Sequence, residues 1–408
     1  MYRIVGDDID ARLHARPRIL GLDLLRALAA WLVLLSHVAF WTGRSSAGIV
    51  GGLAARGELG VAIFFALSAF LLSTPFVRRA LGQPARWSLG TYLVRRAARI
   101  MPAYLLALAG VVTAAAVIGG AAADVLDLPT VLVHLVVGQG WTGRTFQSFT
   151  QTWSLTTEVT FYLVLPVVAL VLARPTRGAT PLATAHRLLV ACGVVAVVGL
   201  VCQGATGLLP SPEDAGVLGT SAAGHAAWFA LGAAVTVVIE AEHAGHPVSR
   251  RPWLEVLRTS PGTLVLLAGV LWLAASSDVA GPRGLEPASG LESVAAEALY
   301  GLVAGCLLLA ATTRGLTELL TDSSVAGPAR WLGDISYGVF LWHVVVLQVS
   351  FAVLDLQLFA APFGLVLVLT TVVSVGLAHL SWSLLERPVL ARAHRRRHAP
   401  VPQPASRA

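Results

Sequence analysis

Two basic side chains interrupt the apolar stretch "GLDLLRALAAWLVLLSHVAF" at residues 21–40, Arg26 and His37. Ionisable groups are costly at membrane depth and mark functional candidates there. Eleven positions separate them, so at about 100° and 1.5 Å per residue they share one helix face, roughly 16 Å apart along the axis. That spacing admits two readings. In one, Arg26 pairs with Asp23 at i,i+3 and His37 is an interfacial residue. In the other, both face a polar path through a bundle, with His37 able to act as a general base.

Glu158, in "QTWSLTTEVTFYLVLPVV" (151–168), lies at a similar depth, about 7 Å into its own stretch. It is the expected carboxylate partner for His37; the alternative is an interhelical hydrogen bond to Ser, Thr or Tyr. His343 sits near the middle of another span, "LGDISYGVFLWHVVVLQ" (332–348). It reads by itself as a packing histidine, as do His379, His225 and His134. Arg95, Arg96 and Arg99 precede a further span in "TYLVRRAARIMPAY" (91–104). They serve either as a membrane-edge anchor or as a phosphate-binding cluster. No Gly-x-Ser-x-Gly elbow, P-loop, His-Glu-x-x-His pair or Cys-x-x-Cys occurs, so a hydrolase, an ATPase and a zinc enzyme are unsupported and no metal site is expected.

The elements that must hold these residues are membrane helices. Of the 408 residues 56% are hydrophobic and 12% charged, with a mean hydropathy of +0.74. Soluble domains carry about a quarter charged residues. Ten stretches are candidates to span: 19–40, 59–77, 101–121, 153–173, 187–208, 223–240, 262–276, 295–313, 335–354 and 362–385. Residues 124–141 read as interfacial or re-entrant. All 29 basic residues are arginine. With ten spans and a cytoplasmic N-terminus, 24 of them fall on the cytoplasmic side, as the positive-inside rule requires. The net charge of +7 therefore calls for no nucleic-acid partner.

The expectation is an all-α polytopic bundle of about ten transmembrane helices with both termini cytoplasmic. It comprises a tail at 1–18, a membrane domain at 19–388 and a basic disordered tail at 389–408. The acidic, polar first 18 residues do not form the apolar core of a signal peptide. Cys192, Cys202 and Cys306 fall in apolar runs and read as small core residues.

Six segments, in order, resemble motifs of the acyltransferase-3 family of integral membrane O-acyltransferases. Arg26 and His37 fill its Arg-x10-His element. "GVAIFFALSAFLLS" (60–73), "RRAARIMPAY" (95–104), "TWSLTTEVTFYLVLP" (152–166), "LGDISYGVFLWH" (332–343) and "LLERP" (384–388) are similar to the others. Ala69 and Phe340 stand where the family has glycine and tyrosine.

The resemblance implies a bacterial plasma-membrane enzyme that moves an acyl group, acetyl by default, from acyl-CoA to a hydroxyl. The implied acceptor is a carbohydrate, a glycolipid or a glycosylated small molecule of the cell envelope. No permanently bound cofactor is implied. His37, Glu158 and Arg26 would be catalytic, while Arg95, Arg96, Arg99 and Arg26 would hold the donor. His343, Ser68, Trp153 and Tyr337 would contact substrate or support the site. His37 would deprotonate the acceptor or carry the acyl group itself. The rival classes are a transporter or flippase, and a sensor that binds acyl donors without turnover.

Overall fold

The computed structural model describes residues 18–395 except 86, 119–125, 174–177, 250, 252–254, 257–258 and 285. Of the expected tails, residues up to 17 and from 396 lie outside the described residues, whereas 389–395, expected as disordered tail, belong to the helix Arg387–Arg395. Ten long helices form the body: α1 (Leu20–Trp41), α2 (Gly60–Ala80), α3 (Leu89–Val117), α4 (Trp153–Ala173), α5 (Pro181–Thr206), α6 (Ala226–His243), α7 (Pro261–Ala275), α8 (Gly290–Ala311), α9 (Ala326–Val353) and α10 (Phe363–Ser381). Among the described residues nine of these are long and apolar enough to cross a membrane. The other, α7, has 15 residues and is about 22 Å long, short of a hydrocarbon core of roughly 30 Å.

Local chemistry sets several boundaries. The Thr180 hydroxyl accepts from the Ala183 amide just before Pro181 opens α5. Ser289 and Glu292 form a reciprocal capping box at the start of α8. Ser88 caps α3 through the Thr91 amide. That helix therefore begins at Leu89 rather than near 101, and Arg95, Arg96 and Arg99 lie within its first turns. Pro102 falls inside the helix, not at its start. Residues 128–142 hold only two short helices, Leu128–Leu135 and Gln139–Thr142, too short to span. At the other end of the chain, α10 runs through a π turn, Trp382–Glu386, into the helix Arg387–Arg395.

α1 lies between α2 and α9, and α2 packs on α6 and α8; α5, α7 and α10 flank α6, α8 and α9. Leu32, Ile63, Phe65, Leu155 and Ile335 are fully buried, whereas Leu170, Val194, Leu266 and Val368 face outward. Without a hydrophobic drive between helices in lipid, close approach relies on small residues. Gly57 and Gly60 press against the backbone carbonyls of Leu32 and Ala29, where a Cβ would collide. Gly333 likewise leaves no room for a Cβ, which would collide with the Cβ and Cα of Asp23.

Candidate active site

His37 and His343 are neighbours. His343 Nε2 is 3.4 Å from His37 Nδ1, and the rings meet edge-on, with centroids 5.0 Å apart and planes at 69°. Each Nδ1 also points at a carbonyl one helical turn back: His37 at Val33 O, 2.9 Å, and His343 at Val339 O, 3.2 Å. A carbonyl only accepts, so Nδ1 of His343 carries the proton and its Nε2 the lone pair. His37 Nδ1 faces a carbonyl and that lone pair, so it also carries its proton. Nε2 of His37 is left as the basic nitrogen, with no partner among the described residues. His343 is thus the ring that orients His37, which its isolated position in sequence did not reveal.

His37 lines a cavity of about 580 Å³ whose walls include Ser36, Glu58, Trp153, His225 and Glu297. Glu58 is the carboxylate whose charge reaches His37. The Tyr300 hydroxyl donates to it at 2.5 Å, and Arg56 Nη1 lies 3.4 Å away. Arg56 is itself buried and donates to the carbonyls of Ala275, at 3.0 Å, and Gly281. The closely packed Gly57 and Gly60 on either side bring Glu58 against α1. Sequence reading left Glu58 in an outer loop; an acidic residue immediately before an apolar run was the available signal.

Glu158 does not pair with His37. It accepts from the Ser68 hydroxyl and from Tyr162 Oη, the latter at 2.5 Å. Matching depth along the helix axis was the basis of the expected pair, and azimuth decides otherwise. Trp153 faces the His37 cavity, and five residues further on the helix has turned about 500°, or some 140° away. Tyr162, four residues beyond Glu158, shares its face. The alternative reading, an interhelical hydrogen bond to Ser, Thr or Tyr, is met by Ser68 of α2, while the bond from Tyr162 lies within α4 itself.

The Glu158 cluster leads toward the arginines. The Arg96 guanidinium lies 5.8 Å from the Tyr162 ring centroid. Arg99 lies 5.9 Å from the Tyr337 ring, 5.5 Å from that of Trp382 and 4.0 Å from Glu386 Oε2. Tyr337 donates to Ile100 O at 3.2 Å. Arg95 is part-buried on the same face of α3. Arg26 is bound to Asp23 at 2.6 Å, as the i,i+3 reading anticipated, and also lies within electrostatic reach of Arg99. Arg18 bridges Asp23, at 2.5 Å, and Asp334, at 2.7 Å. These carboxylates, Asp23 above all, raise the Arg18 guanidinium above its ordinary range.

The candidate residues therefore fall into two tiers. Arg26, Arg96, Arg99, Tyr337, Ser68 and Glu158 form the arginine tier. His37, His343, Glu58 and Trp153 form the histidine tier at the opposite end of α1.

Residues 19–379 match a family model described as an acyltransferase domain. Nodulation protein 10 of Rhizobium leguminosarum bv. viciae is 26% identical, covering 92% of this chain and 95% of its own length. The putative peptidoglycan O-acetyltransferase YrhL of Bacillus subtilis (strain 168) is 26% identical over 92% of the chain. Peptidoglycan O-acetyltransferase OatA of Listeria monocytogenes is 24% identical over the same share. The chain spans about half of those last two relatives, 55% and 56% of their lengths. No solved structure matches it.

Proposed function

The chain belongs to the acyltransferase-3 family, and on that premise we propose that it carries an acetyl group from acetyl-CoA at its arginine tier to a carbohydrate hydroxyl in the His37 cavity. The observation that carries this reading is the unpartnered Nε2 of His37, oriented through Nδ1 by His343, in a polar cavity of about 580 Å³. Arginine distribution supports the orientation. Among the described residues Arg18, Arg78, Arg79, Arg95, Arg96, Arg99, Arg330 and Arg387 all lie near the helix ends on the side of the arginine tier, which favours this end as the cytoplasmic one, where acetyl-CoA is made.

Arg96 and Arg99, with Arg95, engage the donor's phosphates by charge-assisted hydrogen bonds. The pantetheine arm extends past Arg26 toward His37, a distance of about 16 Å along α1. His37 Nε2 takes the proton of the acceptor hydroxyl. The oxygen attacks the thioester carbonyl, an ester C–O bond forms and the C–S bond breaks. The thiolate leaves with the electron pair and takes the proton from the imidazolium, which restores neutral His37. Glu58 favours the transient imidazolium electrostatically, and Ser68 and Tyr162 hold Glu158 behind the donor site. The relatives named as peptidoglycan O-acetyltransferases support a cell-wall sugar as acceptor.

The test is turnover of acetyl-CoA by the purified chain in detergent, read as free thiol. A general base contributes about 10²–10⁴ in rate, so His37→Ala should lose at least a hundredfold while its melting temperature holds. Equal release from both proteins would sink the assignment of His37. A transporter would release no thiol at all.

A further inference from the structure

A second histidine faces the same cavity and has a carboxylate of its own. His225 precedes α6, and Glu297 lies on α8. His225 Nδ1 is 2.8 Å from Glu297 Oε2, and both residues are buried. The pair is fixed by its surroundings. Trp228 stacks on the imidazole at 4.1 Å and 16°, and its Nε1 donates to Glu297 O at 2.7 Å. Trp153 lies against the imidazole at 5.3 Å.

The carboxylate only accepts, so the proton sits on Nδ1 and Nε2 of His225 is an acceptor. That Nε2 has no hydrogen-bond partner among the described residues. Glu297 Oε1, also buried, lacks a donor. Burying a carboxylate without satisfying both oxygens is costly, and an apolar pair of the same volume would pack the bundle better. The arrangement therefore serves something other than packing. Two imidazoles, His37 on α1 and His225 at the start of α6, line one cavity with Nε2 uncommitted, while only His37 is in line with the arginine tier along α1.

Resting on the reading of this cavity as the acceptor side, we propose that His225, oriented by Glu297, is the subsite that holds the acceptor sugar. A sugar hydroxyl donates to His225 Nε2, and Trp153 offers apolar surface to the ring. The walls set Glu58, Glu286 and Glu297 against Arg56 and Arg283, a near balance of charge that matches a neutral sugar better than a strongly charged one. His225 contacts substrate, and Glu297 is a positioning residue.

The experiment is isothermal titration of the full chain in detergent with N,N′-diacetylchitobiose, a neutral disaccharide. Wild type should bind it saturably. His225→Asn keeps an N–H for Glu297 but removes the Nε2 atom, and should bind about tenfold more weakly, the effect of one lost hydrogen bond, with an unchanged melting temperature. His225→Gln, whose amide reaches toward the Nε2 position, should recover part of that loss, which a purely structural role would not produce. It also serves if His225→Asn fails to fold. No binding by wild type, or binding by His225→Asn or His225→Gln indistinguishable from wild type, overturns the proposal. Thiol release from acetyl-CoA by wild type, measured in parallel, judges the acyltransfer reading separately. Sugar binding without thiol release leaves the subsite standing, and thiol release without sugar binding removes the subsite alone.

Discussion

His343 Nε2 accepts from His37 Nδ1 across the α1–α9 interface at 3.4 Å, so one helix sets which nitrogen of the other's imidazole is basic. His343→Ala removes that acceptor and leaves Val33 O alone to hold the tautomer. Thiol release should fall about tenfold, in keeping with one hydrogen bond of about 1 kcal/mol. His343→Gln, which keeps an acceptor, should retain more activity than His343→Ala; the reverse order would argue against an orienting role.

Glu58 acts on His37 through charge rather than contact. Glu58→Gln should lower kcat severalfold and change the KM for acetyl-CoA little, because the proposed donor site lies at the far end of α1. Steady-state kinetics with acetyl-CoA as the varied substrate decides this. A large rise in KM with unchanged kcat would place Glu58 in donor binding instead.

Glu158 is tied to Ser68 and Tyr162 and belongs to the arginine tier. Glu158→Ala leaves the buried Tyr162 hydroxyl and the part-buried Ser68 hydroxyl without their acceptor and should cost about 1–3 kcal/mol, chiefly for Tyr162, read as a lowered melting temperature. The milder Glu158→Gln should raise the KM for acetyl-CoA. Should it instead depress kcat as deeply as His37→Ala with KM intact, Glu158 acts on the chemistry directly.

Arg96→Gln and Arg99→Gln each remove a charged donor, and bonds to charged groups contribute about 1.5–3 kcal/mol. Affinity for acetyl-CoA should drop about tenfold or more in each. Affinity for a dephospho analogue, which lacks the 3′-phosphate, should drop less, since it lacks part of the charge the arginines engage. Weakened binding of acetyl-CoA and unphosphorylated pantetheine by equal factors would exclude a phosphate role.

Gly57 has no room for a Cβ beneath the Leu32 carbonyl. Gly57→Ala should force α1 from the segment that carries Glu58 and cost about 1–3 kcal/mol through overpacking. Thermal melting checks the cost, and a stability equal to wild type would mean that the interface yields.

What sequence conveyed, and what it could not, follows from the range of each interaction. Arg26 and His37 share a face because a single helix period fixes it, and the apolar runs mark the helices because lipid demands them. The start of α3 was hidden because arginine lowers hydropathy while being a good helix former, so the helix outruns its apolar part. The partner of Glu158 depended on the rotation of α4 against its neighbours, which no local pattern encodes. His343, His225, Glu297 and Glu58 acquire their roles only from residues far away in the chain; His225 and Glu297 are 72 positions apart.

Between Leu22 and Trp41, α1 contains neither proline nor glycine and no π turn. Arg26 and His37 therefore sit on one stiff spacer. However α6, α8 or α9 shift against it, the reach required of the proposed acyl donor stays fixed.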